Sequence, residues 1–376
     1  MSRAKRLKLD ELEDAQQLLP GLPDHLAYLC LSHVPARVMF SVCYSWRRLL
    51  YSPSFPPFLS LYALLSSSSS SSSSAAEEKR NESETHLGFS SYDPLSGAWH
   101  PLPTPPPDPP LGYVFLRHPS FIGRSLPIQS VSLSGHLLLL AASTHQLLPA
   151  LPRPLVFSPV SNQWRLGPKM STRRRWCAAG AAGGYVYVAS GMGAEYNSQV
   201  ARSAERWDLN KHHWEEVAQL KNSKFSREAV EAVGCRGKLC MVNVNGNAAK
   251  EGAVYNVVKD QWEEMPRGML GGWKGPAASM EEEAIYVVDE AVGTLKVYKW
   301  ETDEWTTVME SEHFKGASQV TAGGGRVCAV LADGAGIAVV DVVAQPPRMW
   351  VVEPPSGTSV VAVHVLPRMS KPDSLD

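Results

Sequence analysis

The chain is short of the features that would place it in a membrane, outside the cell or on a nucleic acid. Its 376 residues contain no apolar run long enough to span a bilayer, and the first residues, MSRAKRLKLDELEDAQQ, are charged, so we expect neither an anchor nor a secretory signal. The 36 Lys and Arg residues nearly balance the 37 Asp and Glu residues, which argues against nucleic-acid binding. Six cysteines are too few for a disulfide scaffold, so we expect buried free thiols and an intracellular protein.

Signatures of catalysis and metal binding are also missing. The sequence has no nucleophile elbow, no HExxH pair and no P-loop. His212-His213 with Glu215-Glu216 have the chemistry of metal ligands, but they fall in a polar hairpin turn where adjacent side chains point apart. We interpret this cluster as a solvated turn. The sequence therefore predicts no metal, no cofactor and no catalytic residue.

What the sequence does have is tryptophan at a regular spacing. Six tryptophans follow turn-like segments, at Trp99, Trp164, Trp214, Trp262, Trp305 and Trp350. The gaps between them are 65, 50, 48, 43 and 45 residues. Seven residues before each of the first five stands another aromatic, at Tyr92, Phe157, Trp207, Tyr255 and Tyr298. Because the residues in between are mostly polar, the pattern predicts a β-hairpin at the end of each repeat.

A second apolar run precedes most of these hairpins, and glycine usually introduces it. Examples are GGYVYVASG from Gly183 and GGRVCAVLA from Gly324, with small-residue runs such as CAAGAA just upstream. Small side chains suit an innermost strand, where blades converge. Each repeat thus supplies four short strands, which is the size and period of a β-propeller blade. A β-sandwich is the alternative, but it would not repeat a whole four-strand unit. We predict a mainly β fold with a six-bladed propeller.

The predicted propeller spans residues 59–367 and carries two insertions. Nine consecutive serines open the segment 66–84, which cannot bury apolar surface and is expected to be disordered. PLPTPPPDPP at 101–110 contains too much proline to join a sheet and is expected to be a loop. The first repeat lacks an innermost strand, whereas TSVVAVHVLP at 358–367 is an unpaired β run. We predict that this terminal run completes the first blade and closes the ring.

Residues 19–55 follow a helical pattern instead. Pro35 suits the first turn of a helix, and apolar residues then recur at steps of four, four and three, at Val38, Val42, Trp46 and Leu49. A helical unit of about 40 residues is too small to bury all its apolar side chains, so some are left for a partner. We expect three short helices here, and disordered tails at 1–18 and 368–376.

Two resemblances follow from these residues. The glycine pair, the aromatic-rich strand, the second aromatic and the tryptophan resemble the kelch repeat over roughly residues 59–366, with Glu282-Glu283 replacing the glycine pair in the fifth unit. A WD-repeat propeller is the near alternative, but only Trp207-Asp208 offers its dipeptide. The stretch LPGLPDHLAYLCLSHVPARVMFSVCYSWRRLL resembles an F-box. Together they look like the plant F-box/kelch-repeat proteins.

The resemblance implies that the helices dock on a Skp-type adaptor of a cullin-based (SCF) ubiquitin ligase. The residues implied to contact the adaptor are Leu22, Pro23, Leu26, Leu31, Val34, Pro35 and Val38, while Trp46 packs the core of the F-box itself. A helical cap that packs on the propeller is the alternative.

Cations recur where each innermost strand should begin. The positions, several with an adjacent aromatic, are Arg174, Arg175, Trp176, Arg227, Trp273, Lys274 and Lys315, preceded by Arg124. Blade symmetry would bring them to one rim, where they would suit a substrate protein with an acidic or phosphorylated peptide. The alternative is that they are only solvated, or that they pair with Glu195, Glu231 and Glu281–Glu283.

The sequence therefore predicts a non-catalytic substrate-recognition subunit of an SCF ubiquitin ligase. Its partners would be a Skp-type adaptor, a cullin reached through that adaptor, and an unknown protein substrate, with no nucleic acid and no membrane. A kelch scaffold or small-molecule-binding propeller without a ligase role is the rival prediction. An enzyme built on the propeller is a third.

Overall fold

The structure is a computed structural model. It describes residues 18–34, 36–50, 52, 55, 58–68, 85–106, 114, 116, 128–227, 229–245 and 250–368, without the side chains of residues 37, 68, 85, 227, 229, 244 and 245. The predictions for residues 1–17, Pro35, 69–84, 107–110, Arg124 and 369–376 lie outside the described residues. Where the other ends of these segments are described, the predicted disorder and loop are wrong: Leu18 and Arg368 make hydrogen bonds, and Ser66–Ser68 and Pro101 belong to strands.

Three short helices form the N-terminal unit, as predicted. They are α1 (Asp24–Ser32), α2 (Ala36–Val42) and α3 (Tyr44–Leu50). Four side chains are buried between them, those of Leu31, Met39, Leu50 and Phe55. Trp46 packs against this core, and its indole Nε1 donates a hydrogen bond of 2.8 Å to the Leu18 carbonyl. The predicted role of Trp46 in the core of this unit agrees with that packing.

The prediction of a single apolar stripe from Val38 to Leu49 is wrong, because α2 ends at Val42 and a separate helix, α3, begins at Tyr44. Trp46 and Leu49 are half-buried against the helical core, whereas Val38 and Val42 are exposed. The four residues therefore do not share one helix face, although their spacing in the sequence suggests that they do.

Six four-stranded antiparallel sheets form the blades of a propeller. Blade 1 contains β1 (Leu59–Ser68), β2 (Thr85–Asp93), β3 (Ala98–Pro101) and the C-terminal strand β24 (Thr358–Pro367). Blade 2 contains β4 (Gln129–Leu133), β5 (His136–Ala141), β6 (Leu155–Ser158) and β7 (Gln163–Leu166). Blade 3 contains β8 (Ala178–Ala182), β9 (Tyr185–Ala189), β10 (Ala204–Trp207) and β11 (Glu215–Val217).

The remaining blades follow the same plan. Blade 4 contains β12 (Ala229–Cys235), β13 (Lys238–Asn245), β14 (Gly252–Asn256) and β15 (Gln261–Glu264). Blade 5 contains β16 (Ala277–Met280), β17 (Ala284–Asp289), β18 (Thr294–Lys299) and β19 (Glu304–Glu310). Blade 6 contains β20 (Gln319–Gly323), β21 (Arg326–Val330), β22 (Ile337–Asp341) and β23 (Arg348–Val352). Two short helices, α4 (Ser198–Arg202) and α5 (Arg267–Gly272), lie in loops of the propeller.

The six innermost strands meet around the central channel, in the order β24, β4, β8, β12, β16 and β20 and back to β24. Strand β24 pairs with β1 from Leu59↔Pro367 to Ser67↔Thr358, so the end of the chain supplies the innermost strand of blade 1. The Tyr62 hydroxyl donates to the Pro367 carbonyl at 2.8 Å across the same pair. The predicted ring closure is confirmed.

Five of the six recurring tryptophans connect their blade to the one before it. Within a hairpin the two aromatics are packed side by side, with ring centroids 5.2 Å apart for Tyr255 and Trp262. The indole Nε1 of Trp262 then donates to the carbonyl of Ala218, just after the outer strand of blade 3, at 2.7 Å. The equivalent bonds are Trp99 to Glu353, Trp164 to Pro103, Trp214 to Pro168 and Trp305 to Met269, at 2.8, 2.8, 3.1 and 3.0 Å. The regular spacing of the tryptophans in the sequence therefore reflects a hydrogen bond that is repeated between successive blades.

The tight turn between the first two strands of blade 5 departs from the glycine turns of its neighbours. Gly183 and Gly184 of blade 3 take positive φ values of 56° and 80°, and in blade 5 Glu281 and Glu282 do so instead, at 48° and 58°. The residues in the glycine conformation are thus Glu281-Glu282, not Glu282-Glu283 as the sequence alignment of repeats indicated. Left-handed backbone is strained for a residue with a Cβ, so other contacts must hold this turn.

Those contacts are hydrogen bonds to three other blades. The Glu282 carboxylate accepts from the backbone amide of Gly183 at 2.9 Å, and its carbonyl accepts from that of Arg236 at 2.7 Å. The Glu281 carboxylate accepts from the amide of Gly324 at 2.7 Å. Blade 5 is therefore tied to blades 3, 4 and 6 at this end of the channel.

We expect Trp262→Phe to lower the free energy of unfolding by about 1–3 kcal/mol, because the Ala218 carbonyl loses its donor and the ring loses contact area. Trp350→Phe is the matched control, since Trp350 is 45% exposed. Its substitution should change stability by no more than about 0.5 kcal/mol. Urea unfolding of both variants measures the difference, and equal losses would contradict the proposed importance of the inter-blade bond.

We also expect acid to weaken the closure between blades 1 and 2. His364 on β24 is buried, its Nε2 lies 2.9 Å from the Ser130 hydroxyl oxygen on β4, and burial lowers its pKa to about 4. The folded state therefore binds fewer protons than the unfolded state between about pH 4 and the ordinary histidine pKa of about 6.5, so stability falls as the pH drops through this window. The loss should be on the order of 3 kcal/mol. His364→Gln should flatten it when urea unfolding is compared at pH 7 and pH 4.5, and a slope unchanged by this substitution would show that other groups cause it.

Candidate functional site

The two ends of the propeller differ in what they carry. In blades 2 to 6, turns join the first strand to the second and the third to the fourth, and in blade 1 a turn joins the third strand, β2, to the fourth, β3. All of these turns lie at one end, which we call the turn rim. The longer connections between second and third strands, and those between blades, lie at the other end, which we call the loop rim. Strand β1 begins at Leu59 at the turn rim, where the helical unit joins the propeller.

The helical unit packs on the turn rim. Leu95, in the turn between β2 and β3, contributes to the helical core. The backbone amide of Arg368 donates to the Phe58 carbonyl at 2.7 Å, and its guanidinium donates to the Leu50 carbonyl at 3.3 Å. The helices and the loop rim are thus at opposite ends of the molecule.

Apolar side chains remain exposed on the helical unit after it has packed. Leu26 and Leu29 are 41% and 59% exposed, Val38 and Val42 are 48% and 53% exposed, and Tyr44 is 61% exposed. The pairs stand three and four residues apart on their helices, so each pair lies on one helix face. We call these five residues the apolar helical surface. An unpartnered apolar surface of this kind is typical of a protein-docking site.

The residues expected at an adaptor contact divide into several groups. Pro23, Leu26 and Val38 are exposed, and Leu22 and Val34 are half-buried. Leu31 is 1% exposed and packs inside the helical core, so the expectation that it contacts a partner is wrong. Sequence reasoning missed Leu29, Val42 and Tyr44. Leu29 could have been predicted, because it stands three residues after Leu26 on the same helix and so shares its exposed face.

The predicted cations lie in the four loops that enter the innermost strands of blades 3, 4, 5 and 6. Arg174 to Trp176 precede β8, Arg227 precedes β12, Trp273 and Lys274 precede β16, and Lys315 precedes β20. The topology therefore brings these loops to the loop rim at the mouth of the channel. The side chain of Arg227 lies outside the described part of the structure.

Arg174 is part of the interior of blade 3, so its expected role as a surface residue for substrate is wrong. The side chain is 1% exposed, and its guanidinium forms a salt bridge with the buried carboxylate of Glu205 on β10. It also donates to the Ser190 carbonyl and the Ser203 hydroxyl, at 3.1 and 3.0 Å. Glu205 in turn accepts from the amide and the hydroxyl of Ser171, at 3.0 and 2.7 Å.

Trp273 is also unavailable to a partner. It is fully buried in the core between blades 4 and 5, with its ring 6.0 Å from that of Trp305 in an edge-to-face arrangement. Aromatic pairs with this geometry stabilise a core beyond the area they bury. The structure therefore assigns Trp273 to packing, and its expected contact with substrate is wrong.

The two lysines are exposed at the loop rim. Lys315 lies 2.7 Å from the carboxylate of Glu312 in a solvated pair, which contributes little to stability. Lys274 is exposed, and its charge adds to burial in lowering the pKa of the nearby Lys250 to about 8. Positive charge thus collects on this side of the rim, on side chains that remain open to solvent.

Carboxylates line the same side of the channel. On β12, burial raises the pKa of Glu231 to about 7, and the negative charge of Glu290 contributes to that rise. Among the described ion pairs, none joins a predicted cation to Glu195, Glu231 or Glu281–Glu283. Glu281 and Glu282 lie at the turn rim, away from the loops that carry the predicted cations, so the alternative that they pair with those cations is wrong.

Among the predicted cations whose side chains are described, Arg175 is the one that is buried without an ion-pair partner. It is 6% exposed, and neither its Nε nor its Nη1 has a hydrogen-bond acceptor among the described residues. Its guanidinium carbon lies 3.8 Å from the centroid of the Trp176 ring, a cation–π distance. Two backbone hydrogen bonds with Met192, of 2.8 and 2.9 Å, fix the chain at this point.

The described residues include no group of three or more His, Cys, Asp or Glu that could hold a metal ion. His213 is exposed, with its Nε2 3.8 Å from the Glu215 carboxylate, which agrees with a solvated turn. No helix in the described ranges is both long and apolar enough to cross a membrane.

No protein-family model matches the sequence, but it is similar to several curated plant proteins. It is 49% identical over 383 aligned residues to the F-box/kelch-repeat protein SKIP25 of Arabidopsis thaliana, an alignment that covers 98% of this chain and 94% of that protein. The F-box protein AFR of the same plant is 25% identical and is covered over 72% of its length, against 75% of this chain.

Among solved structures, a chain of a nidogen/laminin complex superposes with a TM-score of 0.51. The superposition covers 82% of this chain and 98% of that one, at 8% sequence identity. At this identity the likeness concerns the fold alone.

We expect Arg174→Gln to lower the free energy of unfolding by about 3–5 kcal/mol, because Glu205 would be left as an uncompensated buried charge. Arg173→Gln is the control, since Arg173 is exposed in the same loop. Thermal unfolding of the two variants measures the difference. If Arg174→Gln were as stable as the control, the buried salt bridge would not hold blade 3 together.

Proposed function

Since the chain belongs to the F-box/kelch-repeat family, we propose that it is the substrate-recognition subunit of an SCF-type ubiquitin ligase. The helical unit would dock on a Skp-type adaptor, and the loop rim of the propeller would capture the protein to be ubiquitinated. The observation that carries this proposal is the apolar helical surface, which stays exposed after the unit has packed its own core and its contact with the turn rim.

The arrangement of the two ends supports this division of labour. A partner docked on the apolar helical surface leaves the loop rim open, because the helices pack at the turn rim. The chain would then contribute no chemistry to ubiquitin transfer. Its contribution is to hold the substrate near the transfer machinery, which raises the effective concentration of the reacting groups. The cullin and the enzymes it recruits would carry the reaction.

The rival function is a kelch scaffold or a small-molecule-binding propeller that no longer engages a ligase. Adaptor binding separates the two functions, because a scaffold has no use for an exposed docking surface on the helices.

We expect Leu26→Ala combined with Val38→Ala to weaken binding to a Skp-type adaptor by about 2–4 kcal/mol, because a few buried apolar anchors supply most of the energy of such a contact. Both side chains are already exposed, so the variant should unfold at the temperature of the unaltered protein. Titration of the full chain with purified adaptor measures the loss.

The matched control removes the same two side-chain types from the loop rim. Leu148 and Val292 are 38% and 63% exposed in loops of blades 2 and 5, and Leu148→Ala with Val292→Ala should leave adaptor affinity unchanged. Absence of adaptor binding by the unaltered chain would favour the scaffold. Equal loss in both variants would exclude the apolar helical surface as the docking site.

A further inference from the structure

A cavity of about 230 Å³ opens on the outer half of blade 3. Its walls are the connection that enters from blade 2, the short helix α4, and the loop-rim ends of β10 and β11. These are the third and fourth strands of the blade, whereas the channel is lined by the innermost strand β8. The cavity is therefore separate from the channel mouth.

Four of the side chains that line the cavity are open hydrogen-bonding groups. They are the hydroxyl of Thr172, the carboxamides of Gln199 and Gln219, and the carboxylate of Glu216, and none of them makes a hydrogen bond or an ion pair with the described residues. Thr172 is half-buried and the other three are exposed, so a dissolved ligand can reach them. None of the described lining residues is a Lys, Arg or His. The cavity therefore offers no charge that would attract an anion.

The inner wall of the cavity is the carboxylate of Glu205, whose charge Arg174 already balances. Its Oε1 accepts from Arg174 and from the Ser171 hydroxyl, whereas its Oε2 accepts only from the Ser171 amide, at 3.0 Å, among the described residues. Since a carboxylate oxygen has two lone pairs, Oε2 can accept one more donor. Glu216 stands directly opposite Glu205 in the ladder of β10 and β11, so both side chains project from the same face. Like charges in that arrangement destabilise a sheet, and a cation bound beside them would relieve this.

This pair of carboxylates is particular to blade 3. The same cross-strand position, two residue pairs away from the aromatic hairpin, is occupied by different residues in each of the other blades. In blades 1, 2, 4, 5 and 6 the opposed residues are Ser90 and Pro101, Leu155 and Leu166, Ala253 and Glu264, Lys296 and Thr307, and Ala338 and Val351. The repeated architecture of the propeller therefore does not require two carboxylates here.

We propose that this cavity binds a guanidinium group, carried either by a small guanidino compound or by the arginine side chain of a protein segment. The open charge of Glu216 favours a cation over a neutral ligand. The acceptors lie on several sides, and a planar guanidinium with five N–H donors can reach more of them at once than the three donors of an ammonium. The inference goes beyond the proposed function, since it requires neither the adaptor nor the cullin.

Three small probes test the class of ligand on the full chain. They are ethylguanidinium, ethylammonium and ethylurea, which has the planar shape of ethylguanidinium without its charge. Titrations followed by saturation-transfer NMR measure the affinities. We expect ethylguanidinium to bind at least about tenfold more tightly than ethylurea, with ethylammonium between them. Absence of ethylguanidinium binding, or equal binding of ethylguanidinium and ethylurea, would overturn the proposal.

A pair of matched variants locates the binding at the cavity. Glu216→Gln keeps the shape of the side chain and removes its charge, so it should weaken ethylguanidinium binding at least about fivefold. Glu264→Gln is the control, because Glu264 is an exposed carboxylate at the same position of blade 4, where Ala253 stands opposite. It should leave the affinity within about twofold. Unchanged binding by Glu216→Gln, or an equal loss in both variants, would overturn the proposal.

Unfolding temperature separates binding from a structural role of Glu216. Glu216→Gln removes one of two opposed like charges, so its unfolding temperature should equal or exceed that of the unaltered protein. A decrease would assign Glu216 to the framework of blade 3 and overturn the proposal.

A tripeptide with a central arginine, blocked at both ends, identifies the source of the guanidinium. Tighter binding of this peptide than of ethylguanidinium would support an arginine of a protein segment as the ligand. Equal or weaker binding of the peptide would support a small guanidino compound. Adaptor binding is measured on the same preparations, and its absence would reject the ligase role without affecting the cavity.

Discussion

The fold depends on one hydrogen bond that is repeated around the ring, from an outer-strand tryptophan to the carbonyl just after the outer strand of the preceding blade. Trp262 to Ala218 is one example, and Trp99 to Glu353 joins blade 1 to blade 6, so the bond also crosses the point where the chain ends meet. Isolated four-stranded blades bury too little surface to be stable alone. Blade 6 departs from this scheme, because Trp350 is 45% exposed. The regularly spaced tryptophans thus stabilise the contacts between blades, which the closed ring needs, and not the fold of any single blade.

This repetition explains why the architecture was predictable from sequence and why individual side chains were not. The aromatic spacing recurs in five blades and the glycine turn in four, so repeated copies of a weak signal predicted the strands and the closure by β24. The fate of a single arginine has no such repetition. Arg174 is buried because Glu205, 31 residues away in β10, offers a carboxylate, and no local pattern identifies that partner. Leu31 and Leu29 likewise differ only in which side of α1 meets Met39 and Phe55.

Regions that break the repeat are informative about the two ends of the channel. At the turn rim, Glu281 and Glu282 adopt a backbone that glycine would adopt more easily, and their hydrogen bonds reach the turns of blades 3, 4 and 6. Strain of this kind persists only where surrounding contacts stabilise it. The turn rim is therefore cross-linked by backbone-directed bonds, while the loop rim presents exposed lysines and the unpaired guanidinium of Arg175.

The separation of the two ends sets the geometry that a ligase role would require. Strands rise about 3.3 Å per residue, so the innermost strands, such as the five residues of β8, hold the two rims apart by on the order of 15–20 Å. Substrate at the loop rim and adaptor at the helices would therefore not compete for surface. For the same reason, the propeller would have to be rigid in order to hold a bound substrate at a fixed place relative to the adaptor. The inter-blade tryptophan bonds and the cross-linked turn rim would provide that stiffness, so the features that hold the ring together also fix the distance between its two rims.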